Sequence, residues 1–211
     1  MPDPADQLAA NALVSLEEAR AFLQKDEGEE EQDELIVALI NAASSRILQH
    51  TGREFAPKGV APETRVFAAS GGARTIDLFP FDVREVTAVT LGSDLAPGEQ
   101  AALASSGWRL RPLPAPHGVY QLLRLSRAAA TEVGCDEFEV SVTGLWGFAA
   151  VPEDVKHWCK VTVAIWLRKD VSAFSRTLAI DEDRLEVPEG LPSAVVKGLC
   201  DFTRKPAVLP R

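Results

Sequence analysis

Residues 137–170 read EFEVSVTGLWGFAAVPEDVKHWCKVTVAIWLRKD, and the hydrophobic period changes partway through. Phe138, Val140 and Val142 alternate with Glu139, Ser141 and Thr143, the period of a half-buried strand. After Pro152 the apolar positions are Val155, Trp158, Cys159, Thr162, Ile165 and Trp166, which share one broad face at 3.6 residues per turn. Proline and two acids suit a first helical turn, and Arg168 and Lys169 suit a last one. A strand thus passes through a Gly-Leu-Trp-Gly corner into a long helix, the mark of a chain mixing strands and helices.

The helical period also holds upstream. Leu35, Ile36, Leu39, Ile40, Ala43, Ile47 and Leu48 predict a helix that Gly52 ends, since glycine takes the left-handed cap without a Cβ clash. Before it, Ser15 and Glu18 form a capping box, with Val14 placed for a hydrophobic staple. Leu16, Ala19, Phe22 and Leu23 predict a short helix ending near Lys25. Residues 1–14, rich in Ala, Pro and Asp, are expected to be a mobile arm.

Between these helical ends lie short strand candidates. Residues 64–70 and 74–79 flank a Gly-Gly pair that suits a hairpin. Residues 85–91, 108–112, 119–125 and 137–144 follow, with Pro112, Pro114 and Pro116 marking an irregular link. Near the end, residues 171–190 read as loop with a short strand at 184–188. Residues 192–205 predict a last helix with Val195, Val196, Leu199, Cys200 and Phe202 apolar, and Pro206 and Pro210 force an extended tail. The expected fold class is α+β, a small bundle of N- and C-terminal helices with a middle insertion of short antiparallel strands. The expected divisions are an arm at 1–14, a helical core at 15–56 and 144–203, an insertion at 57–143 and a tail at 204–211.

Composition bounds the function. Hydrophobic residues make up 46% and charged residues 25%, proportions of a folded globular chain. No apolar run approaches the roughly 20 residues that span a bilayer, and residues 1–15 lack the basic and apolar regions of a signal peptide. Cys135, Cys159 and Cys200 are far apart and read as buried free thiols. The net charge of −9 is concentrated at one end: eleven acids and three bases leave residues 1–50 at −8. That argues against non-specific nucleic-acid binding, which needs a basic footprint.

No catalytic or metal-binding pattern emerges. His50, His117 and His157 have no partner at metal spacing, and residues 26–34 lack the alternating donors of an EF-hand loop. The segment Ser70-Gly71-Gly72-Ala73 is not a phosphate loop, and no serine lies in a GxSxG elbow. The expectation is a non-enzyme with no catalytic residue, metal or cofactor. Trp158 and Trp166, eight positions apart on one helix, are candidates for core or subunit-interface packing.

Three features carry a family resemblance: LVSLEEARAFLQ, an acidic linker and DELIVALINAASSRILQHTGREF; then VTGLWGFAAVPEDVKHWCKVTVAIWLRKD; then the closing helix and proline-containing basic tail. In this order they resemble the head–tail connector proteins of long-tailed bacteriophages, also called head completion or adaptor proteins. The resemblance covers the helical parts and is weakest over residues 57–136.

It implies a virion neck protein, made and assembled in the host bacterial cytoplasm, without a membrane partner. Such proteins form a ring, typically a dodecamer, beneath the portal protein. The ring extends the DNA channel, helps retain the genome and docks the next neck or tail-completion protein. The C-terminal segment would reach the portal, here Arg204, Lys205, Pro206, Val208, Leu209 and Arg211. An acidic wall would let packaged DNA slide without sequence-specific binding, which makes Glu29, Glu30, Glu31, Asp33 and Glu34 candidate lumen-facing acids. The alternatives are another neck or tail-completion protein contacting the tail tube, a cytosolic nucleic-acid-binding regulatory module, or a hydrolase with an unrecognised site.

Overall fold

The computed structural model describes residues 4–24, 32–55, 61–70, 72–93, 100–113, 115–132, 137–174 and 190–204. The chain divides into two units, one of Met1–Ala56 with Val151–Arg204 and one containing Pro57–Ala150. The class is α+β, with helices at both ends and an antiparallel β-rich middle.

In the helical unit, α1 (Leu16–Leu23) starts at the capping box. The Ser15 Oγ accepts from the Glu18 amide and the Glu18 carboxylate accepts from the Ser15 amide, each at 3.1 Å. Eight residues are too few for a helix to persist on propensity alone, so the cap and packing sustain it. It stops at Gln24, whose φ of 54° breaks the helical path. Its buried face is narrower than expected: Leu16 and Ala19 are buried, but Phe22 is 39% exposed.

Helix α2 (Asp33–Thr51) buries Ile36, Val37, Leu39, Ile40, Ala43 and Ile47, and Gly52 at φ 64° donates its amide to the Leu48 carbonyl at 2.9 Å. Helix α4 (Glu153–Phe174) packs on it with Val155, Cys159, Thr162, Val163 and Trp166 buried. The buried Thr162 hydroxyl donates to the Trp158 carbonyl at 2.8 Å, so it costs no unmet hydrogen bond. Helix α5 (Ser193–Gly198) is shorter than its apolar pattern suggests. Turns follow it, leaving Val195, Leu199 and Phe202 buried but Val196 and Cys200 exposed. The expectation of buried thiols therefore holds for Cys159 and fails for Cys200, while Cys135 lies outside the described residues.

The described part of the N-terminal arm is anchored, contrary to expectation. Asn41 on α2 accepts from the Ala9 amide at 2.9 Å and donates to the Gln7 carbonyl at 3.1 Å. The Ser44 hydroxyl accepts from the Leu13 amide at 3.0 Å, and Leu13 and Val14 are buried. Burying two such side chains contributes about 3–6 kcal/mol before ordering costs, enough to hold a short segment that polar composition alone would release.

The second unit holds two antiparallel sheets. One has the order β1 (Glu63–Ala69), β7 (Phe138–Trp146), β3 (Val83–Ser93), β4 (Gln100–Ala102). The other has β2 (Thr75–Asp77), β6 (Leu122–Leu125), β5 (Trp108–Arg111). Helix α3 (Arg127–Glu132) follows β6. The hairpin expected at Gly-Gly is not formed. Strand β1 pairs with β7, with Phe67 opposite Val140, and β2 pairs with β6, with Ile76 opposite Leu123. Gly72, at φ 77°, turns the chain between sheets. The core gathers Phe67, Leu78, Val89, Leu123, Val140, Val142 and Trp146. Strand β7 runs through Trp146, so residues 144–150 lie with the strands and not with the helices. The strand expected at 184–188 lies outside the described residues. Among the described residues, no helix is long and apolar enough to cross a membrane.

Candidate interaction surfaces

The acids before α2 divide. Asp33 is buried and forms a two-pronged pair with the Arg20 guanidinium, Nε to Oδ1 at 2.8 Å and Nη2 to Oδ2. It ties α1 to the first turn of α2, where a negative charge also suits the helix dipole. A carboxylate held this way is not presented to a channel, which removes Asp33 from the lumen-facing set. Glu34 is exposed, and Glu29, Glu30 and Glu31 lie outside the described residues. A second bridge joins Glu18 to Lys156 on α4 at 2.9 Å, with Glu153 a further 3.5 Å partner of the lysine. Partial burial raises the Glu18 pKa, but the Lys156 ammonium and the Ser15 amide outweigh it and hold the carboxyl below its ordinary value. Hydrogen bonding to Glu18 holds the Lys156 ammonium above its own.

The two tryptophans of α4 also part ways. Trp166 is 1% exposed and belongs to the core of its own unit, so it is unavailable to a neighbouring subunit. Trp158 is half-buried, its indole lying against Gly198 of α5, where a Cβ would overlap the ring. His157 points outward, with its ring 5.2 Å from Trp158, and Cys159 points inward, consistent with their separation of two along the helix. Burial pushes the Cys159 thiol up to about 12.

The Gly-Leu-Trp-Gly corner is a packed aromatic joint. Trp146 lies 5.8 Å from Phe67 and 6.0 Å from Phe81, and the Arg65 guanidinium sits 3.7 Å above Phe81 and 4.7 Å from Trp146. The Gly147 amide, at φ 71°, donates to the Asp82 carbonyl at 2.7 Å. Gly144 faces the Glu85 carbonyl so closely that a Cβ would collide with it, at the point where β3 slips register against β7.

Of the tail candidates, Arg204 is described, and its amide donates to the Thr51 carbonyl at 2.9 Å. Lys205, Pro206, Val208, Leu209 and Arg211 lie outside the described residues. Among the described residues, no group of three His, Cys, Asp or Glu is placed to hold a metal ion.

A basic surface emerges only in the folded structure. Arg74, Arg109, Arg111 and Arg124 line a cleft of about 200 Å³ on the three-stranded sheet, with Ser106, Trp108, Leu125 and Ser126. The four arginines are scattered over fifty positions; the β5–β6 register sets Arg109 opposite Arg124, and the Leu125 amide, donating to the Arg74 carbonyl, brings Arg74 beside them. The alternation of Arg109 and Arg111 around Leu110 was the one local sign of a basic strand face.

The fold is thus an α+β chain in which a β unit interrupts a helical one. No protein-family model matches the chain, and no curated protein matches it. Among solved structures it is similar to a chain of "Neck of empty GTA particle computed with C6 symmetry", at 18% identity, with 95% of each chain covered and a TM-score of 0.49. It is also similar to a chain of "Neck of native GTA particle computed with C12 symmetry", at 17% identity, with 96% of each chain covered and a TM-score of 0.47. A third is in "Virion of native gene transfer agent (GTA) particle", at 18% identity, with 96% of this chain and 94% of that chain covered and a TM-score of 0.44.

Proposed function

We propose that this chain is a structural component of the neck of a phage-like particle. It acts as a ring subunit beneath the portal that extends the DNA channel, helps retain the genome and docks the next neck or tail component. The observation that carries the reading is the order of elements. A capped short helix, an acidic stretch and a long helix come first, then a strand insertion, the Gly-x-Trp-Gly corner, a second long helix and a closing helix. The connector resemblance rests on that order.

A ring subunit needs two different lateral surfaces, because head-to-tail contacts close by rotation. Two units of unlike chemistry in one chain supply them. Exposed Glu34 would face the channel and repel DNA phosphate, and the segment from Arg204 onward would engage the portal.

Electron microscopy of the purified chain mixed with the portal of the same particle tests the reading. Rings stacked on the portal are expected, and a chain ending at Arg204 is expected to lose that binding while staying folded. Binding to isolated tail tubes with none to the portal would replace the connector reading with a tail-completion role.

A further inference from the structure

We propose that the arginine cleft of the β2–β6–β5 sheet is a carboxylate-docking site, and that its occupant is the acidic segment 26–31 of a second copy of this chain. Arg109 and Arg124 are cross-strand partners, and like charges directly opposite each other destabilise a sheet. Arg111 follows two positions along the same face, and the Arg74 carbonyl accepts from the Leu125 amide at 2.8 Å, which sets that residue at the margin of the cleft. Among the described residues, none of the four guanidiniums forms an ion pair, and the Arg111 Nε is buried without a hydrogen-bond partner. By register Asp77 shares this face, and it accepts from the Phe79 amide. One carboxylate against four guanidiniums leaves the face strongly positive. Planar guanidiniums grouped around a cleft bind an oxyanion in paired hydrogen bonds, and a bound anion relieves the repulsion between Arg109 and Arg124.

Charge decides which oxyanion. Four arginines around one cleft are a local patch and not the extended basic footprint that a DNA backbone needs, which disfavours phosphate. The richest source of carboxylates is the chain itself: Asp26, Glu27, Glu29, Glu30 and Glu31 put five acids in six residues. A donor segment at one place and an acceptor cleft at another make a heterologous contact, which repeats from copy to copy. Only closure of that repeat into a ring rests on the neck reading; the pairwise contact stands without it.

The test uses full-length chains. The acceptor carries Asp26→Asn, Glu27→Gln, Glu29→Gln, Glu30→Gln and Glu31→Gln, so its own segment cannot compete. A fluorescent peptide of residues 25–34 is expected to bind it, and adding Arg109→Gln and Arg124→Gln is expected to weaken binding roughly tenfold or more, with Arg→Lys at both positions recovering part of it. Mixed with a chain that keeps its acids but carries Arg109→Gln and Arg124→Gln, the acceptor should sediment as a hetero-pair. No peptide binding, binding indifferent to the arginines, or a mixture that stays monomeric would overturn the proposal. So would a short DNA duplex held by the arginines in place of the peptide. None of these readouts involves the portal, so failure here is distinct from failure of the neck reading.

Discussion

The indole N–H of Trp146 donates to the main-chain carbonyl of Glu63 at 2.9 Å, joining the last residue of β7 to the first of β1. Trp146 is 3% exposed and packs on Phe67 and Phe81, so the bond is one part of a larger joint. Trp146→Phe keeps a ring but loses the donor and is expected to cost about 1–2 kcal/mol. Trp146→Ala empties the joint and is expected to cost about 3–5 kcal/mol. Urea unfolding measures both, and equal losses would mean that the hydrogen bond carries the whole effect.

Gly144 leaves no room for a side chain in the four-stranded sheet. A methyl group there would meet the Glu85 carbonyl, a main-chain atom that moves only if β3 moves. Gly144→Ala is expected to destabilise the protein by about 2 kcal/mol or more, through displaced backbone. Thermal unfolding of this variant beside Gly72→Ala separates the causes, since Gly72 has open space around it and only its positive φ to lose.

Asp33 and Glu34 are adjacent acids with opposite expected behaviour. Asp33→Ala leaves the Arg20 guanidinium without its partner and is expected to cost about 2–3 kcal/mol, at the lower margin for a buried pair because Arg20 keeps some solvent. Glu34→Ala removes an exposed charge and is expected to change stability by less than about 0.5 kcal/mol. Chemical denaturation of the two variants reads this directly. A Glu34 loss as large as that of Asp33 would mean that Glu34 also has a structural partner.

The two described thiols should differ in reactivity. Cys159 is buried with its pKa pushed up to about 12, so at pH 8 it offers almost no thiolate, whereas Cys200 is exposed. Alkylation of the native protein followed by peptide mass spectrometry is expected to label Cys200 and spare Cys159 until denaturant is added.

The Glu18–Lys156 bridge gives stability a window in pH. The Glu18 carboxyl is depressed below 4.5, so its contribution is complete above that value and fades as pH falls through the lower folded value. The Lys156 ammonium is raised above 10.5, so its contribution is complete below that value and fades as pH rises through the higher folded value. Glu18→Gln keeps the capping box and removes the charge, so it isolates the bridge. Solvent at Glu18 screens the effect to under about 1 kcal/mol at neutral pH. Unfolding curves of the two proteins should converge at acid pH.

Local signals in the sequence were reliable where physics is local. The Ser15–Glu18 box, the Gly52 cap and the alternation of Phe138, Val140 and Val142 each depend on residues a few positions apart, and each is present. The failures lie where the deciding partner is distant. The Gly-Gly hairpin lost to a β1–β7 pairing about seventy to eighty residues away, and residues 4–14 were pinned by Asn41 and Ser44. Strand β4 and helix α3 are three and six residues long, too short to show a period. The arginine cleft needs three strands in register before it exists. Asp33 looked like one more acid in a run until Arg20, thirteen residues back, claimed it.

Strands β1 and β7 are neighbours, and Glu63, at the start of one, sits opposite Gly144, near the end of the other. The chain therefore comes into the β unit and goes out of it side by side, about one strand spacing apart. Everything between Glu63 and Gly144 returns the chain to within one strand spacing of where it began. Such an architecture tolerates exchange: the module could grow, shrink or be swapped for another with the same spacing at its ends, and the helical frame would need no redesign.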